Sequence, residues 1–452
     1  MNPNIFREYD IRGRVPEELN RETAYRLGQC FGAYYDGFGA KRISLGRDCR
    51  LSSPELREGV IEGMRDAGIH VKELGMVPTP LLYFSLHHLD VDGGIQITGS
   101  HNPPEYNGFK ICLGKTTIYG QEIQKLRRIA ESGPFPKGKG SIESKEVISA
   151  YQGEILKRIR CGQIPRKVVL DAGNGVAGLV APELYSHMGI EVEKLFCEPD
   201  GRFPNHHPDP TLPENLKSLI HRVRESSADL GIAFDGDADR IGVVDRRGRI
   251  LWGDRLMIIF SRDLLKRHPG AKIIGEVKCS QVLYDDIRRH GGIPIMWKAG
   301  HSLIKAKMKE EGALLAGEMS GHIFFAERYF GYDDAIYAGA RLLEILTTGH
   351  QELEELLADV PSPVSTPEIR MDCPDEKKFQ VVASLASQFK KEYQVIDVDG
   401  ARVVFDRGWG LIRASNTQPV LVLRFEAKDQ KSLQEIQEDF MKKLSREGLG
   451  IK

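Results

Sequence analysis

The stretch that decides the fold is residues 94–104, which read GIQITGSHNPP. Glycine and proline stop the apolar run GIQI, as expected for a β-strand that ends in a tight loop. In α/β folds, ligands bind at the carboxyl ends of strands, and this loop places the hydroxyl of Ser100 beside His101 at such an end. Taken alone, the same residues are also typical of an ordinary polar turn.

The overall composition is ordinary for a globular protein. The chain has 452 residues, of which 41% are hydrophobic and 28% charged, and its formal net charge is −1. With so small a net charge, the protein has no long-range electrostatic potential that would attract nucleic acid or a membrane. Any anion site must therefore be local. We find no bilayer-spanning run and no signal peptide, and the seven cysteines lack CxxC spacing. We therefore expect a cytoplasmic protein with reduced cysteines that binds neither nucleic acid nor membrane.

Three segments of the chain repeat one pattern. A basic residue followed by an apolar run opens each of them, at residues 41–45, 166–170 and 271–274. A helical segment then ends in glycine before a second strand, and a third strand closes on a polar loop. These loops are residues 98–103, 235–240 and 317–322. The alternation predicts βαβ units with parallel strands, whose loops would face one another if the units surround one cleft.

Breaks in composition divide the chain into four units. A proline- and glycine-rich run, residues 132–140, follows the first unit, and a charged turn lies near the second boundary at residues 245–249. Beyond Pro363 the pattern changes, with helices expected near 377–392 and 432–444 and strands at 401–405 and 420–425. We expect three topologically similar α/β domains around a cleft and a smaller C-terminal α+β domain, with boundaries at residues 1–145, 146–250, 251–362 and 363–452.

Three carboxylates, Asp235, Asp237 and Asp239, directly follow an apolar run. Carboxylates this close repel one another unless a hard divalent cation neutralises them, and oxygen ligands suit Mg²⁺ or Ca²⁺. A calcium-binding EF-hand is excluded, because Arg240 and Arg246 occupy its glycine and glutamate positions. The alternative is a solvated acidic turn, but the guanidinium of Arg240 offers an adjacent phosphate partner and favours a metal site.

Two further loops carry polar side chains. Glu318 and Ser320 combine acceptors and donors suited to vicinal sugar hydroxyls, and His322 could move a proton, although a capped turn with a buried histidine fits equally well. Residues 413–417, RASNT, are placed between two strands. Their guanidinium, hydroxyls, amide and turn N–H groups favour a phosphate cradle over a plain hairpin loop.

Other motifs are less specific. Lys110, Lys278 and His301 lie near strand ends, where each by itself is more typical of a surface charge. Residues 173–178 match GxGxxG, with acidic residues about 20 positions further on, as in an NAD-dependent oxidoreductase. That function would leave the serine loop, the aspartates and the C-terminal cradle unused. We therefore explain these glycines by a helix start that needs close backbone packing.

Together these motifs resemble the α-D-phosphohexomutase family, in its bacterial phosphomannomutase/phosphoglucomutase branch. The resemblance covers essentially the whole chain, because YDIRG at residues 9–13, TGSHNP, DGDADR, GEMSGH and RASNT follow in the family's order. It implies an isomerase that reversibly transfers phosphate between the 1- and 6-positions of a hexose, mannose or glucose. The transfer would pass through a phosphoserine enzyme and a hexose 1,6-bisphosphate.

The resemblance also implies roles for individual residues. Ser100 would carry the phosphoryl group, and the phosphoserine would hold Mg²⁺ together with Asp235, Asp237 and Asp239. Glu318 and Ser320 would contact the sugar hydroxyls. The phosphate that is not reacting would be held by Arg413, Ser415, Asn416 and Thr417. The candidates near the reacting phosphate and the sugar, including those for proton transfer, are Arg12, Lys110, His301 and His322, with Tyr9, His101, Arg240 and Lys278 completing the cleft.

Two positions bear on the flexibility of the serine loop and on the choice of sugar. Gly99 stands where the family more often has alanine or proline, which should alter loop flexibility more than chemistry. Met319 resembles the mannose/glucose branch, whereas phosphoglucosamine mutases usually have glutamine at that position. A phosphoglucosamine mutase, a metal-dependent sugar phosphatase and a non-catalytic sugar-phosphate-binding protein remain alternatives. We expect hexose phosphates as small-molecule partners and a monomer or homodimer.

Overall fold

The computed structural model describes residues 1–416 and 419–447. Four β-sheets, each accompanied by helices, follow one another along the chain. Within the described residues, no helix is both long enough and apolar enough to cross a membrane.

The first sheet has seven strands. They are β1 (Ile11–Arg14), β2 (Arg42–Arg47), β3 (His70–Met76), β4 (Gly93–Ile97), β5 (Tyr106–Leu113), β6 (Thr116–Thr117) and β7 (Ile142–Ser144). The helices of this segment are α1 (Arg21–Asp36), α2 (Ser53–Asp66), α3 (Thr79–His88) and α4 (Gln121–Ser132). Strand β2 pairs in parallel with both β3 and β4, and β5 returns antiparallel to β4.

The second sheet has five strands. They are β8 (Lys167–Asp171), β9 (Glu191–Leu195), β10 (Leu230–Phe234), β11 (Ile241–Asp245) and β12 (Ile250–Leu251). The helices are α5 (Ile148–Arg158), α6 (Ala181–His187) and α7 (Lys217–Ser226). Strand β8 pairs in parallel with β9 and β10, and β11 is antiparallel to β10.

The third sheet has four strands. They are β13 (Lys272–Glu276), β14 (Ile293–Trp297), β15 (Leu315–Gly317) and β16 (Ile323–Phe325). The helices are α8 (Gly253–Arg267), α9 (Gln281–Arg289), α10 (His301–Glu311) and α11 (Ala335–Thr348). Strand β13 pairs in parallel with β14 and β15, and β16 is antiparallel to β15.

These three sheets share one topology, which confirms the predicted repeat. In each, one strand (β2, β8 or β13) lies between the next two strands of the chain, and an antiparallel strand returns beside the later of those two. Strand β1 adds an antiparallel edge strand to the first sheet. The polar loops join that later strand to the returning strand, so they occupy equivalent positions in the three sheets. A hydrophobic core continues from α3 through the second and third units, which holds these units together.

The fourth sheet is antiparallel throughout. Its strands are β17 (Val364–Ser365), β18 (Ile369–Asp372), β19 (Gln394–Ile396), β20 (Ala401–Phe405), β21 (Gly408–Ala414) and β22 (Val420–Ala427). Helices α12 (Asp375–Phe389) and α13 (Gln430–Arg446) complete the predicted α+β unit. One detail of the prediction is wrong: Arg413 belongs to the end of β21 and pairs with Val422, because the ladder continues to Ala414.

The GxGxxG match at residues 173–178 has a packing explanation, as predicted. A Cβ atom at Gly175 would lie 2.7 Å from the carbonyl oxygen of Gly236, and one at Gly178 would lie 1.8 Å from that of Cys197. A short 3₁₀ helix, Val176–Leu179, begins there. Further 3₁₀ helices are Pro3–Ile5, Pro213–Leu216 and Glu355–Leu357.

Candidate active site

The serine loop, residues 98–103, lies between β4 and β5 and is held by a buried arginine. Ser100 has a φ of +47°, in the left-handed region that non-glycine residues rarely adopt. Arg50 donates from Nη2 to the carbonyl oxygen of Ser100 (2.8 Å), and from Nη1 to those of Pro103 (2.6 Å) and Tyr106 (2.9 Å). This planar fork fixes the backbone that presents the serine hydroxyl.

Ser100 meets the aspartate loop of the second sheet. Its Oγ donates to Asp235 Oδ2 at 2.7 Å and lies 3.2 Å from His101 Nδ1. Arg12 supports the same loop from β1, donating to the carbonyl oxygen of Gly99 (3.0 Å). The pKa of His101 is well below its usual value, because the ring is desolvated and lies near Arg240 and Arg12. The first two polar loops therefore face each other.

A lysine lies between two of the carboxylates. Lys110 Nζ is 2.7 Å from Asp237 Oδ2 and 2.5 Å from Asp239 Oδ2, and only 3% of Lys110 is exposed. Thr79 donates its hydroxyl to Asp237 Oδ2 at 2.6 Å. Burial would lower the pKa of Lys110, but Asp237 and Asp239 outweigh it and raise that pKa. The expectation that Lys110 is a surface charge is wrong, because tertiary contacts bury it beside two anions.

The aspartate loop has the chemistry of a site for a divalent cation. Oxygen atoms of Asp235, Asp237 and Asp239 lie within 4.8 Å of one another. Asp237 Oδ1 and Asp239 Oδ1 are buried and make no hydrogen bond among the described residues. Burial and the two neighbouring carboxylates raise the pKa of Asp235 well above its usual value. An all-oxygen cluster with unsatisfied buried acceptors fits Mg²⁺.

The third polar loop approaches the second through a histidine. Arg240 Nε donates to His322 Nε2 at 3.0 Å. The ring of His301, at the start of α10, stacks on that of His322 with centroids 5.5 Å apart and planes inclined by 15°. Both histidines are buried, so the expectation of a surface charge at His301 is also wrong. Burial, followed by the nearby Lys305, lowers the pKa of His301.

The remaining groups of the third unit lie beside this pair. Glu318 is buried and its Oε1 accepts a hydrogen bond from the backbone N–H of Gly300 (2.7 Å), whereas Ser320 is half-buried. Lys278 is largely buried rather than on the surface, with Nζ 3.2 Å from Glu368 Oε2 and 3.5 Å from Glu276 Oε1. Burial raises the pKa of Glu276 to about 7. The carboxyl groups of Glu368 and Glu276 thus hold the Lys278 ammonium in place.

The C-terminal loop reaches the same cleft. Asn416 Nδ2 donates to the hydroxyl of Tyr9 at 2.6 Å, and that hydroxyl donates to the carbonyl oxygen of Ala299 at 3.1 Å. Arg413 is buried and donates from Nε to Asp399 Oδ2 at 2.9 Å. Ser415 is buried beside them. The predicted residue Thr417 lies outside the described residues.

Several residues at this site were missed by the sequence analysis. Arg50 carried a usable signal, since Asp48 and Arg50 directly follow strand β2 at its carboxyl end, where α/β sites lie. Asp333, Lys305 and Asp399 carried none, because they lie outside the repeated strand-to-loop positions. Asp333 is fully buried and reaches His301, His322 and Lys305.

Comparison with known proteins identifies the family. Profiles of its four domains match in order: phosphoglucomutase/phosphomannomutase alpha/beta/alpha domain I at residues 3–137, domain II at 149–248, domain III at 252–364 and the C-terminal domain at 368–443. The chain belongs to the phosphoglucomutase/phosphomannomutase family. This confirms the resemblance that the motifs indicated.

Members of this family from several bacteria are similar along nearly the whole chain. A phosphomannomutase/phosphoglucomutase of Pseudomonas aeruginosa is 49% identical over 442 residues, covering 98% of this chain and 95% of the relative. A phosphoglucomutase of Neisseria gonorrhoeae is 48% identical, covering 97% and 96%. A solved structure of a phosphoglucomutase/phosphomannomutase family protein from Burkholderia thailandensis superimposes with a TM-score of 0.94 at 44% identity, covering 100% of this chain and 99% of that protein.

Proposed function

We propose that this enzyme reversibly transfers phosphate between the 1- and 6-positions of mannose or glucose phosphate, through phosphoserine at Ser100 and a hexose 1,6-bisphosphate. The observation that carries the proposal is the buried contact of 2.7 Å between Ser100 Oγ and Asp235, within a carboxylate cluster that fits Mg²⁺. A lone serine is a poor nucleophile, but a phosphoserine whose charge is offset by cations can donate its phosphoryl group.

The residues around Ser100 supply the groups that this transfer needs. Asp235, Asp237 and Asp239, with the phosphoserine, would hold Mg²⁺, which supplies charge neutralisation at the phosphoryl oxygens. The candidate catalytic residues around Ser100 are Arg12, Lys110, His101, His301 and His322. Arg240 offsets phosphate charge beside them.

The opposite side of the cleft is suited to the substrate. Glu318 and Ser320 would contact sugar hydroxyls, and Tyr9 and Lys278 would line the same space. The phosphate that is not reacting would lie in a cradle formed by Arg413, Ser415, Asn416 and Thr417. Because the bisphosphate must turn end for end between the two transfers, the cradle should recognise phosphate strongly and sugar orientation loosely.

The remaining expectations accompany this proposal. We propose domain boundaries at residues 1–145, 146–250, 251–362 and 363–452, supported by the pairing of β7 with the first sheet and by the start of the fourth sheet at β17. We also propose a cytoplasmic monomer or homodimer that acts on hexose phosphates and binds neither nucleic acid nor membrane. The formal net charge of only −1 supports the last of these expectations, because it provides no long-range attraction for nucleic acid or membrane.

The direct test is phosphopeptide mapping before and after incubation with Mg²⁺ and excess hexose 1-phosphate. We expect phosphate on Ser100 that is depleted as hexose bisphosphate appears. Ser100→Ala should remain folded and lose almost all turnover. The control is Ser85→Ala, which removes a buried hydroxyl within α3 whose one hydrogen bond among the described residues goes to the Leu82 carbonyl oxygen.

The alternatives give different outcomes in the same assay. A phosphatase would release inorganic phosphate, and a binding protein would leave Ser100 unmodified even after hexose 1,6-bisphosphate is supplied. A phosphoglucosamine mutase would turn over glucosamine 6-phosphate in preference to the mannose and glucose phosphates. Substantial mutase activity in the Ser100→Ala variant would contradict the phosphoserine mechanism.

A further inference from the structure

A single carboxylate oxygen of the fourth unit joins the C-terminal loop to the third unit. Asp399 lies in the connection between β19 and β20, and its side chain is only 14% exposed. Its Oδ2 accepts hydrogen bonds from Arg413 Nε at 2.9 Å and from the backbone N–H of Ala299 at 3.1 Å. None of the sequence motifs includes Asp399, and the proposed function has given it no role.

The backbone that binds Asp399 is itself held from two other sides. Ala299 is buried and lies between β14 and α10. Its carbonyl oxygen accepts a hydrogen bond from the Tyr9 hydroxyl at 3.1 Å. The next residue, Gly300, donates its backbone N–H to Glu318 Oε1 at 2.7 Å. Asp399 is therefore bound to a segment that the N-terminal part of the chain and the third polar loop also hold in place.

The contact with Asp399 decides which nitrogens of Arg413 remain for a ligand. A guanidinium has five N–H donors in one plane, and it binds phosphate best through two parallel N–H groups. Asp399 occupies Nε–H, whereas Nη1 and Nη2 make no hydrogen bond to any residue that the structure describes. Burial would lower the pKa of Arg413, but Asp399 and Glu276 outweigh burial and raise that pKa. The guanidinium therefore stays charged, with both terminal nitrogens left for an anion.

We propose that Asp399 is a positioning residue: fixed by the Ala299 N–H, it orients Arg413 so that Nη1 and Nη2 bind the phosphate that is not reacting. Without Asp399, the guanidinium would lose its only partner among the described residues and would rotate about its last side-chain bonds. A phosphate would then have to pay the entropy of ordering it. This inference rests on the proposed function, because it explains how the proposed cradle acquires its geometry.

Binding can be measured without turnover. Glucose 1,6-bisphosphate is titrated by calorimetry into the Ser100→Ala protein, which cannot exchange phosphate with the ligand. Adding Asp399→Ala should weaken the affinity about tenfold or more, since hydrogen bonds to charged groups are the strong ones. Asp399→Asn keeps the shape and one oxygen acceptor but not the charge, so it should fold and weaken the affinity about fivefold. Wild-type affinity in either variant would overturn the proposal.

A double-mutant cycle shows whether Asp399 acts through Arg413. In an Arg413→Ala background, Asp399→Ala should cause no further loss of affinity, because the guanidinium that it orients is already absent. An equal loss with and without Arg413 would refute the inference, since a merely structural role of Asp399 does not depend on that side chain.

Kinetics of the otherwise wild-type enzyme provide a second readout. Asp399→Asn should raise KM for the hexose phosphate about fivefold and change kcat less than about twofold, because the cradle holds a phosphate that does not react. The matched control is Asp397→Asn, an exposed carboxylate two residues away that pairs with Lys390 at 2.6 Å, and it should keep both constants. A loss confined to kcat would contradict the positioning role. Protein that binds the bisphosphate with the expected dependence on Asp399 but shows no mutase turnover would instead refute the proposed function.

Discussion

At the scale of single residues, two adjacent aspartates show how neighbours set the state of a buried carboxyl group. Asp333 lies beside the Lys305 ammonium, which outweighs burial and brings the pKa of Asp333 well below its usual value. Asp334 instead accepts hydrogen bonds from the hydroxyls of Tyr151 (2.9 Å) and Tyr329 (2.7 Å) and from the backbone N–H of Tyr337 (2.8 Å). Burial without a cationic partner raises the pKa of Asp334 to about 6. The two residues are equally buried, so the difference comes from the charges around them.

This raised pKa predicts an unusual pH dependence of stability. The folded protein binds a proton at Asp334 near pH 6, whereas the unfolded chain binds it only near the ordinary value of 3.8. The free energy of unfolding contributed by Asp334 should therefore increase as the pH falls below about 6, levelling off below about 4, by up to about 3 kcal/mol. Denaturant unfolding of the wild type and of Asp334→Asn over this range measures it as a pH-dependent difference between the two. A difference that stays constant, or that decreases toward acid, would contradict the assignment.

At the scale of elements, the serine loop depends on the close packing of Gly99 against Arg50. A Cβ atom at Gly99 would lie 2.3 Å from Arg50 Nε, and the guanidinium also lies 5.3 Å from the centre of the Phe203 ring. Asp48 accepts from the backbone N–H of Gly99 at 3.0 Å. The sequence suggested that glycine here mainly affects flexibility. That expectation stays a prediction, and the structure adds a packing role, because a Cβ at this position would meet the buried arginine.

We expect Arg50→Lys to disrupt the serine loop while preserving its charge. An ammonium cannot reproduce the planar fork that binds the carbonyl oxygens of the loop. The free energy of unfolding should fall by about 3 kcal/mol, and kcat by at least about tenfold, because the loop no longer presents Ser100 in its left-handed conformation. Thermal unfolding and steady-state kinetics measure the two effects.

The matched control for this variant is Arg47→Lys on the same side of the first unit. Arg47 is half-buried, and within the part of the chain that the structure describes its side chain donates to the carbonyl oxygen of Asp48 alone. It should therefore change neither quantity strongly. Full activity and stability in Arg50→Lys would show that the fork does not determine the loop conformation.

At the scale of the whole molecule, the site exists only where all four sheets meet. Tyr9, from the N-terminal segment, touches both the C-terminal loop and the backbone before α10 through its hydroxyl. A second connection lies beneath it: Arg402 of β20 is fully buried, lies 3.7 Å from the centre of the Trp409 ring and donates to the carbonyl oxygens of Val277 (2.6 Å) and Cys279 (2.7 Å). The fourth unit is thus tied to the third by buried contacts and to the first by the Tyr9 hydroxyl.

Removing this hydroxyl should weaken substrate binding more than chemistry. In Tyr9→Phe the Asn416 amide loses its partner, and the C-terminal loop is held less firmly over the cleft. One net hydrogen bond is worth about 1 kcal/mol, so KM for the hexose phosphate should rise roughly fivefold while kcat changes less than about twofold. The control is Tyr34→Phe, whose hydroxyl bonds to Glu122 at 2.7 Å in the first unit. An unchanged KM, or a loss confined to kcat, would exclude this bridging role.

The sequence alone determined the repeated α/β units, the C-terminal α+β unit and the candidate loops. These features are encoded locally: apolar runs of strand length, glycine and proline at their ends, and clusters of carboxylates or hydroxyls that follow. The order of the motifs indicated the family, and the matches to the family profiles confirmed that family. The roles of the individual site residues remain predictions that the experiments above test.

Only the tertiary structure decided which charges are buried and what they touch. Lys110 looks like a surface lysine in sequence, yet its partners Asp237 and Asp239 lie more than a hundred residues away. Asp333 likewise contacts His301, His322 and Lys305 only because α10, the third polar loop and the start of α11 come together in the fold. The state of a buried polar group depends on its desolvation and on the nearest charges, and both are set by chain segments that local patterns cannot bring together.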